Sequence, residues 1–408
     1  MSTRNPSPPP DYDDNLKQLD MIGDTAYSRR WLFSLLIKFL KRVNSETSAT
    51  WGSPDNDPTC KQLDTELEEQ LCCLWDLTVN RDVLKFLDEF EIVSIFNNAL
   101  GNVQNPRLLE IIVGILANLA YDPLACRRMS ESESFIIRVT GLLYSRDTPT
   151  LVETCRLIQT VLASDEYKTS WFDEIRFQPE FLENILFILK SSTKASLLIG
   201  AVRLIDVITR EDDSLAEVWC GEQLLKAILI AQHQMKWLHG SEVEIIHRLL
   251  YTFSSNVNGV SALVKSFSEV LPTFGVYLRK VCEDAPHVIH FFTYYNSLRA
   301  IIPIIDVVIA SLPCTDAMCC YLYDPQILPC LIHIACGCQK QKSELPLVRG
   351  ILADLNVLFK DIIKSISSSL KTMDESSISQ LTTGELKWLA DLENDDHSVF
   401  VKHLPIVV

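Results

Sequence analysis

From Leu108 to Met129 the chain reads Leu-Leu-Glu-Ile-Ile-Val-Gly-Ile-Leu-Ala-Asn-Leu-Ala-Tyr-Asp-Pro-Leu-Ala-Cys-Arg-Arg-Met, which is apolar almost all the way round a helix. A helix with no face for water has to be enclosed by neighbours. Arg107 just before this stretch and Glu110, Gly114 and Asn118 within its first half are spaced three, four and four residues apart, so they form one narrow stripe along the helix. A buried helix with a single polar stripe is expected in a helical solenoid, where the stripe lines the concave surface. In that arrangement the missing side chain of Gly114 leaves room for a close approach from outside.

The pattern recurs. Ile115–Ala120 with Asp122 is echoed by Ile158–Ala163 with Asp165, and then by Val202–Ile208 and Ile246–Phe253. Later copies run from Ile301 to Leu312 and from Leu347 to Lys360, where Gly350-Ile351-Leu352-Ala353-Asp354-Leu355 nearly repeats Gly114-Ile115-Leu116-Ala117-Asn118-Leu119. Spacings in the mid-forties are those of armadillo and HEAT units. About six units can be counted. The expected fold is therefore an all-α, armadillo/HEAT-like right-handed α-solenoid. Scarce glycine, 13 in 408 residues, and the lack of alternating strands joined by Asn-Gly or Asp-Gly turns agree with it.

Three regions are expected. Residues 1–20 are a disordered tail rich in proline and acid, 21–365 the solenoid, and 366–408 a loose segment with one short helix near Glu385–Leu392. Tyr27–Val43, with Trp31, Leu32, Phe33, Leu35, Leu36, Phe39 and Leu40, reads as the helix that caps the first end. Residues 44–61 read as a loop around Trp51-Gly52-Ser53-Pro54, and Glu68–Phe90 as the core of a helix pair. Breaks are expected at Asn105-Pro106, Asp122-Pro123, Thr148-Pro149, Gln178-Pro179, Asp324-Pro325 and Leu345-Pro346.

The formal charge of −16, with basic residues scattered among acidic ones, argues against direct nucleic-acid binding. The most basic run, Lys38-Phe39-Leu40-Lys41-Arg42, reads as one face of an amphipathic helix. No apolar window is long enough for a bilayer, and the N-terminus lacks an apolar signal core. Thirteen cysteines in such a chain are expected to be reduced thiols of an intracellular protein.

Several motifs identify a family. Arg4-Asn5-Pro6-Ser7-Pro8-Pro9-Pro10, Tyr27-Ser28 with Trp31-Leu32-Phe33, Trp75-Asp76, Phe86-Leu87-x-Glu89-Phe90, Pro106-Arg107-Leu108-x-Glu110-Ile111-x-Val113-Gly114-Ile115-Leu116-x-Asn118 and Pro149-Thr150-Leu151-x-Glu153-Thr154 occur in this order. Together they resemble the SAAL (serum-amyloid-A-like) family of armadillo-like proteins over the first 165 or so residues. The resemblance implies a largely nuclear protein, cytoplasmic as well in part, linked to promotion of cell proliferation and without enzymatic activity.

Catalytic and metal chemistry find little support. Cys314, Cys319, Cys320, Cys330, His333, Cys336 and Cys338 are the most metal-like cluster. Leu328–Ala335 reads as helical, however, which sets Cys330 and Cys336 about 120° apart, too far round for one ion. His287-x-x-His290 lacks the intervening glutamate of a zinc peptidase helix. There is no Gly-x-Ser-x-Gly elbow, phosphate loop or dinucleotide fingerprint, so neither cofactor, metal nor small-molecule substrate is expected.

The candidate partner-binding surface is the stripe of Arg107, Glu110, Gly114 and Asn118, extended through the next copies by Glu153, Arg156, Arg203 and Asp206. A repeated Asn ladder for an extended peptide is disfavoured, because the places equivalent to Asn118 hold Val161, Val207, Thr252 and Asp354. Pro6, Ser7, Pro8 and Pro9 form a Pro-x-x-Pro core with a Ser-Pro step, a candidate ligand or phosphorylation motif. The expected function is a non-catalytic scaffold for protein partners. The alternative is a regulatory subunit that positions a catalytic partner enzyme.

Overall fold

The computed structural model describes residues 20–48, 62–235, 241–284, 288–311 and 346–370, together with Ile327, Cys330, Leu331, Ile334, Ala335 and Cys338. The chain divides into two compact units, Met1–Glu211 and Asp212–Val408. Among the described residues it is all α, and the one extended pairing is an isolated bridge between Met21 and Ser28. Pro6–Pro9, His287, Cys314, Cys319, Cys320, His333, Cys336 and the helix expected near Glu385–Leu392 lie outside the described residues.

In the first unit, α1 (Arg29–Ser48) and α2 (Thr65–Leu77) precede three repeats of a short, a medium and a long helix. These are α3 (Arg81–Asp88), α4 (Ile92–Leu100) and α5 (Pro106–Leu119), then α6 (Pro123–Ser130), α7 (Glu133–Gly141) and α8 (Thr148–Leu162). The third is α9 (Lys168–Phe177), α10 (Pro179–Ser191) and α11 (Ala195–Glu211). Long helix packs on long helix, α2 on α5, α5 on α8 and α8 on α11. That stack of like on like is the architecture of an armadillo-type solenoid. The second unit repeats the scheme with α12 (Asp213–Trp219), α13 (Glu222–Met235), α14 (Ser241–Ser254), α15 (Val257–Lys265), α16 (Phe267–Asp284) and α17 (Val288–Ser311), followed by α18 (Pro346–Leu370). There α14 packs on α17 and α17 on α18.

The boundaries follow from capping chemistry. The side chains of Asp64, Asn80, Asn105, Asp122, Ser132 and Asp147 each accept a backbone N–H in the first turn of the following helix. Pro106, Pro123, Pro149 and Pro179 occupy first-turn positions, where the missing N–H costs nothing. The apolar stretch from Leu108 to Met129 is accordingly two helices, with axes bent by 119° at the turn that Asp122 caps. Its echo Asp165 caps nothing. The N-cap of α9 is Tyr167, and Asp165 lies exposed beside Lys168.

The six sequence copies coincide with the long helices α5, α8, α11, α14, α17 and α18, with Ala120 and Ala163 as C-caps and Leu312 outside the described residues. A seventh long helix, α2, packs on α5 in the first unit, although its sequence reads only as half of a helix pair. Helix α1 continues to Ser48, so the first residues of the expected 44–61 loop are helical. No single described helix is long and apolar enough to cross a membrane, though the bent pair α5 and α6 passes that composition test together.

Candidate functional site

Helix α5 is buried at Leu108, Ile111, Ile112, Val113, Gly114, Ile115, Leu116, Ala117 and Leu119, which leaves the predicted stripe as its half-buried edge. That edge is a ladder between repeats. Arg107 Nε donates to Glu68 Oε1 of α2 at 2.7 Å and its NH1 to Glu110 Oε2 one turn on at 2.6 Å. Its NH2 reaches the Cys72 sulfur at 3.2 Å. These contacts, with Glu110 the largest influence, raise the guanidinium pKa above its ordinary value.

About three turns on from Arg107, Asn118 joins three long helices. Its Nδ2 donates to the Trp75 carbonyl at 3.1 Å and to Thr78 Oγ1 at 3.0 Å, both on or capping α2. Its Oδ1 accepts from Arg156 NH1 of α8 at 2.8 Å. Arg156 also donates to the Gly114 carbonyl at 3.0 Å, and its Nε to Glu153 at 2.7 Å. The ladder then passes to Gln159, whose Nε2 donates to the Gly200 carbonyl on α11 at 2.9 Å.

Gly114 corrects an expectation. It is buried, and a Cβ placed there would run into the indole of Trp75 from α2. The space vacated by the missing side chain is thus filled from within, by the preceding repeat, and no outside group approaches there. A glycine in a helix interior costs about 1 kcal/mol relative to alanine. Here that cost is offset by close packing of an aromatic ring.

Arg203 and Asp206 do not share a surface. Asp206 is buried at 1% exposure and accepts from Arg210 at 3.1 Å. Arg203 is exposed, and among the described residues no side chain bonds it. Along the long helices of the first unit, Arg107 and Arg156 are committed to neighbours, whereas Arg203 is not.

The magnitudes separate roles. Half-exposed pairs such as Arg107–Glu68, at 39% and 35% exposure, contribute roughly 0–1 kcal/mol. Each enclosed Leu or Ile contributes about 1.5–3 kcal/mol, so the apolar interior holds the fold. The ladder fixes how one repeat sits on the next, because Asn118 satisfies groups on two flanking helices at once.

Sequence reasoning did not find Trp75, Thr78 and Cys72 as members of this ladder. The available signal was the position of Trp75, 43 residues before Asn118 and so one repeat away.

The cysteines that are described are not poised as metal ligands. Cys155 is fully buried and its thiol pKa is pushed up to about 12 by desolvation, and Cys338 behaves alike. Cys330 is buried, its carbonyl accepting from the Cys282 thiol at 3.6 Å. Among the described residues no group of three or more His, Cys, Asp or Glu side chains could hold a metal.

Comparison with known proteins finds relatives of this chain. The chain is 32% identical to the protein saal1 of Danio rerio over 296 residues, covering 69% of this chain and 62% of that one. It is 36% identical to the protein SAAL1 of Homo sapiens over 264 residues, covering 60% and 55%. These alignments span less than two thirds of the length of either relative. A designed armadillo repeat protein, YIII(Dq)4CqI, aligns at 15% identity with a TM-score of 0.43, covering 64% of this chain and 99% of that one. The model of the SAAL1 C-terminal domain matches residues 181–399, over half of the chain and beyond the point where the motif resemblance ends. The chain belongs to the SAAL1 family.

Proposed function

We propose that the chain is a non-catalytic protein-interaction scaffold whose partner docks on the long-helix face of the first unit and is anchored by Arg203. The observation that carries the reading is the contrast on that face. Arg107 and Arg156 spend their donors on neighbouring repeats, while Arg203 projects into solvent with five donors unused. A guanidinium so placed suits a carboxylate-bearing segment, since the planar fork binds carboxylates bidentately. Glu110, Glu153, Arg107 and Arg156, half-buried on the two preceding long helices, pair with one another and leave that part of the surface neutral.

The test is affinity capture with the full chain. Arg203→Glu abolishes recovery of a stoichiometric partner while the helical circular dichroism and melting temperature stay as they were. Unchanged recovery overturns the reading. A captured partner with catalytic activity turns the scaffold into a regulatory subunit. By family resemblance we further place the protein in the nucleus, in service of cell proliferation. Imaging of the tagged chain and a growth assay after its depletion test both.

A further inference from the structure

Helix α1 encloses one face and leaves a second apolar row uncovered. Leu32, Leu35, Leu36, Phe39 and Val43 are buried, but Phe33, Ile37 and Leu40 are 49%, 38% and 38% exposed. Spacings of four and three residues place them on one stripe of about 10 Å. At its start Phe33 meets Phe90, with ring centroids 5.8 Å apart. The exposed charges that α1 itself carries beside the row are basic. Lys38 is held by Glu66 and Gln70, whereas the side chains of Arg30 and Lys41 bond no described residue. A basic, apolar helix face is an unusual surface on a chain of net charge −16.

We propose that this row is the docking surface for the chain's own segment Asp11–Leu19. The segment joins the described chain at Asp20, whose carboxylate accepts the backbone N–H of Arg30 at 3.2 Å, one turn before Phe33. It therefore starts beside the row. Its own apolar residues, Tyr12, Leu16 and Leu19, recur at spacings of four and three, those of Phe33, Ile37 and Leu40. Two such stripes face each other when both lie on helices. Asp11, Asp13 and Asp14 against the single Lys17 make the segment acidic, opposite in sign to Arg30 and Lys41. Nine helical residues span about 13 Å, enough to cover the row.

Hydrogen exchange on the full chain tests the proposal, with two triple variants, Tyr12→Ser/Leu16→Ser/Leu19→Ser and Phe33→Ser/Ile37→Ser/Leu40→Ser. In the unaltered chain residues 11–19 exchange more slowly than a free peptide of that sequence. Either triple variant speeds their exchange on the order of tenfold, and combining the two adds nothing further. The first variant lies outside the solenoid core, so its effect is independent of any loss of fold in the second. Exchange of residues 11–19 at the free-peptide rate in the unaltered chain overturns the proposal. So does a solution mass that falls from two chains to one with the second variant, which assigns the row to another copy.

Discussion

The two units use one architecture and differ in what their interiors enclose. In the first, helices of each class are tied to their counterparts by side-chain bonds. Arg128 reaches Asp88 and Trp171 reaches Ser130 among the short helices. Arg138 reaches Asn97 among the medium ones, and the ladder through Arg107, Asn118, Arg156 and Gln159 joins the long ones. In the second unit the described ties include Asn258 to the Glu217 carbonyl and Tyr295 to Asp354, while α14, the first long helix of its stack, holds His247. That imidazole is fully buried, edge-on to Tyr277 and Phe274, and neither nitrogen has a hydrogen-bond partner in the described residues. Register in the first unit is specified by polar bonds across repeats. In the second, a polar group is carried inside apolar packing and makes stability depend on pH.

The comparison predicts its largest effect at Gly114. Gly114→Leu forces the Trp75 indole out of its seat, costing about 3 kcal/mol or more. Adding Trp75→Ala recovers part of that loss, as read in urea unfolding of the full chain. Full stability of the single variant places Trp75 elsewhere.

The second effect belongs to the other unit. Burial lowers the His247 pKa to about 3, against about 6.5 for an exposed imidazole. The unfolded chain therefore takes up the proton first as the pH falls. Stability contributed by the neutral, buried ring is intact above about pH 6.5 and is lost between there and about 3, by up to about 1.4 kcal/mol per pH unit. His247→Phe removes that slope in hydrogen exchange of α14 between pH 7 and 4. An identical slope in the variant assigns the acid sensitivity to other groups.

Asn118→Ala ranks third. It strands the donors and acceptors of Thr78, Trp75 and Arg156 and costs about 1–3 kcal/mol. Arg203→Ala is the smallest, within about 0.5 kcal/mol, because the side chain is exposed and bonds no described neighbour. Thermal melts rank these two, and a reversed order would contradict the division between ladder and surface.

Most of the fold was legible because solenoid repeats write themselves twice, in apolar periodicity and in helix-start chemistry. Asn105-Pro106 and Asp122-Pro123 mark real helix starts because Asn or Asp accepts the orphan N–H groups while proline needs none. The turn inside Leu108–Met129 is marked only by Asp122-Pro123, because hydropathy alone does not register a 119° bend between two buried helices. The stripe was legible as a line of residues on one helix but not as to what covers it. Whether Gly114 faces solvent or an indole depends on a residue one repeat away, and periodicity within one helix carries no information about its neighbour. Asp206 shows the same limit, since a carboxylate at a plausible surface position is buried and bonded to Arg210.

Asn118 and Arg156 form an inter-repeat bond that sets register in the first unit. A double-mutant cycle on the full chain tests it most directly, with Asn118→Ala, Arg156→Ala and the pair compared by urea unfolding followed through tryptophan fluorescence. The coupling expected between the two positions is about 1–3 kcal/mol. Losses that add to within about 0.3–0.5 kcal/mol would contradict it, leaving the stripe as two independent surface residues.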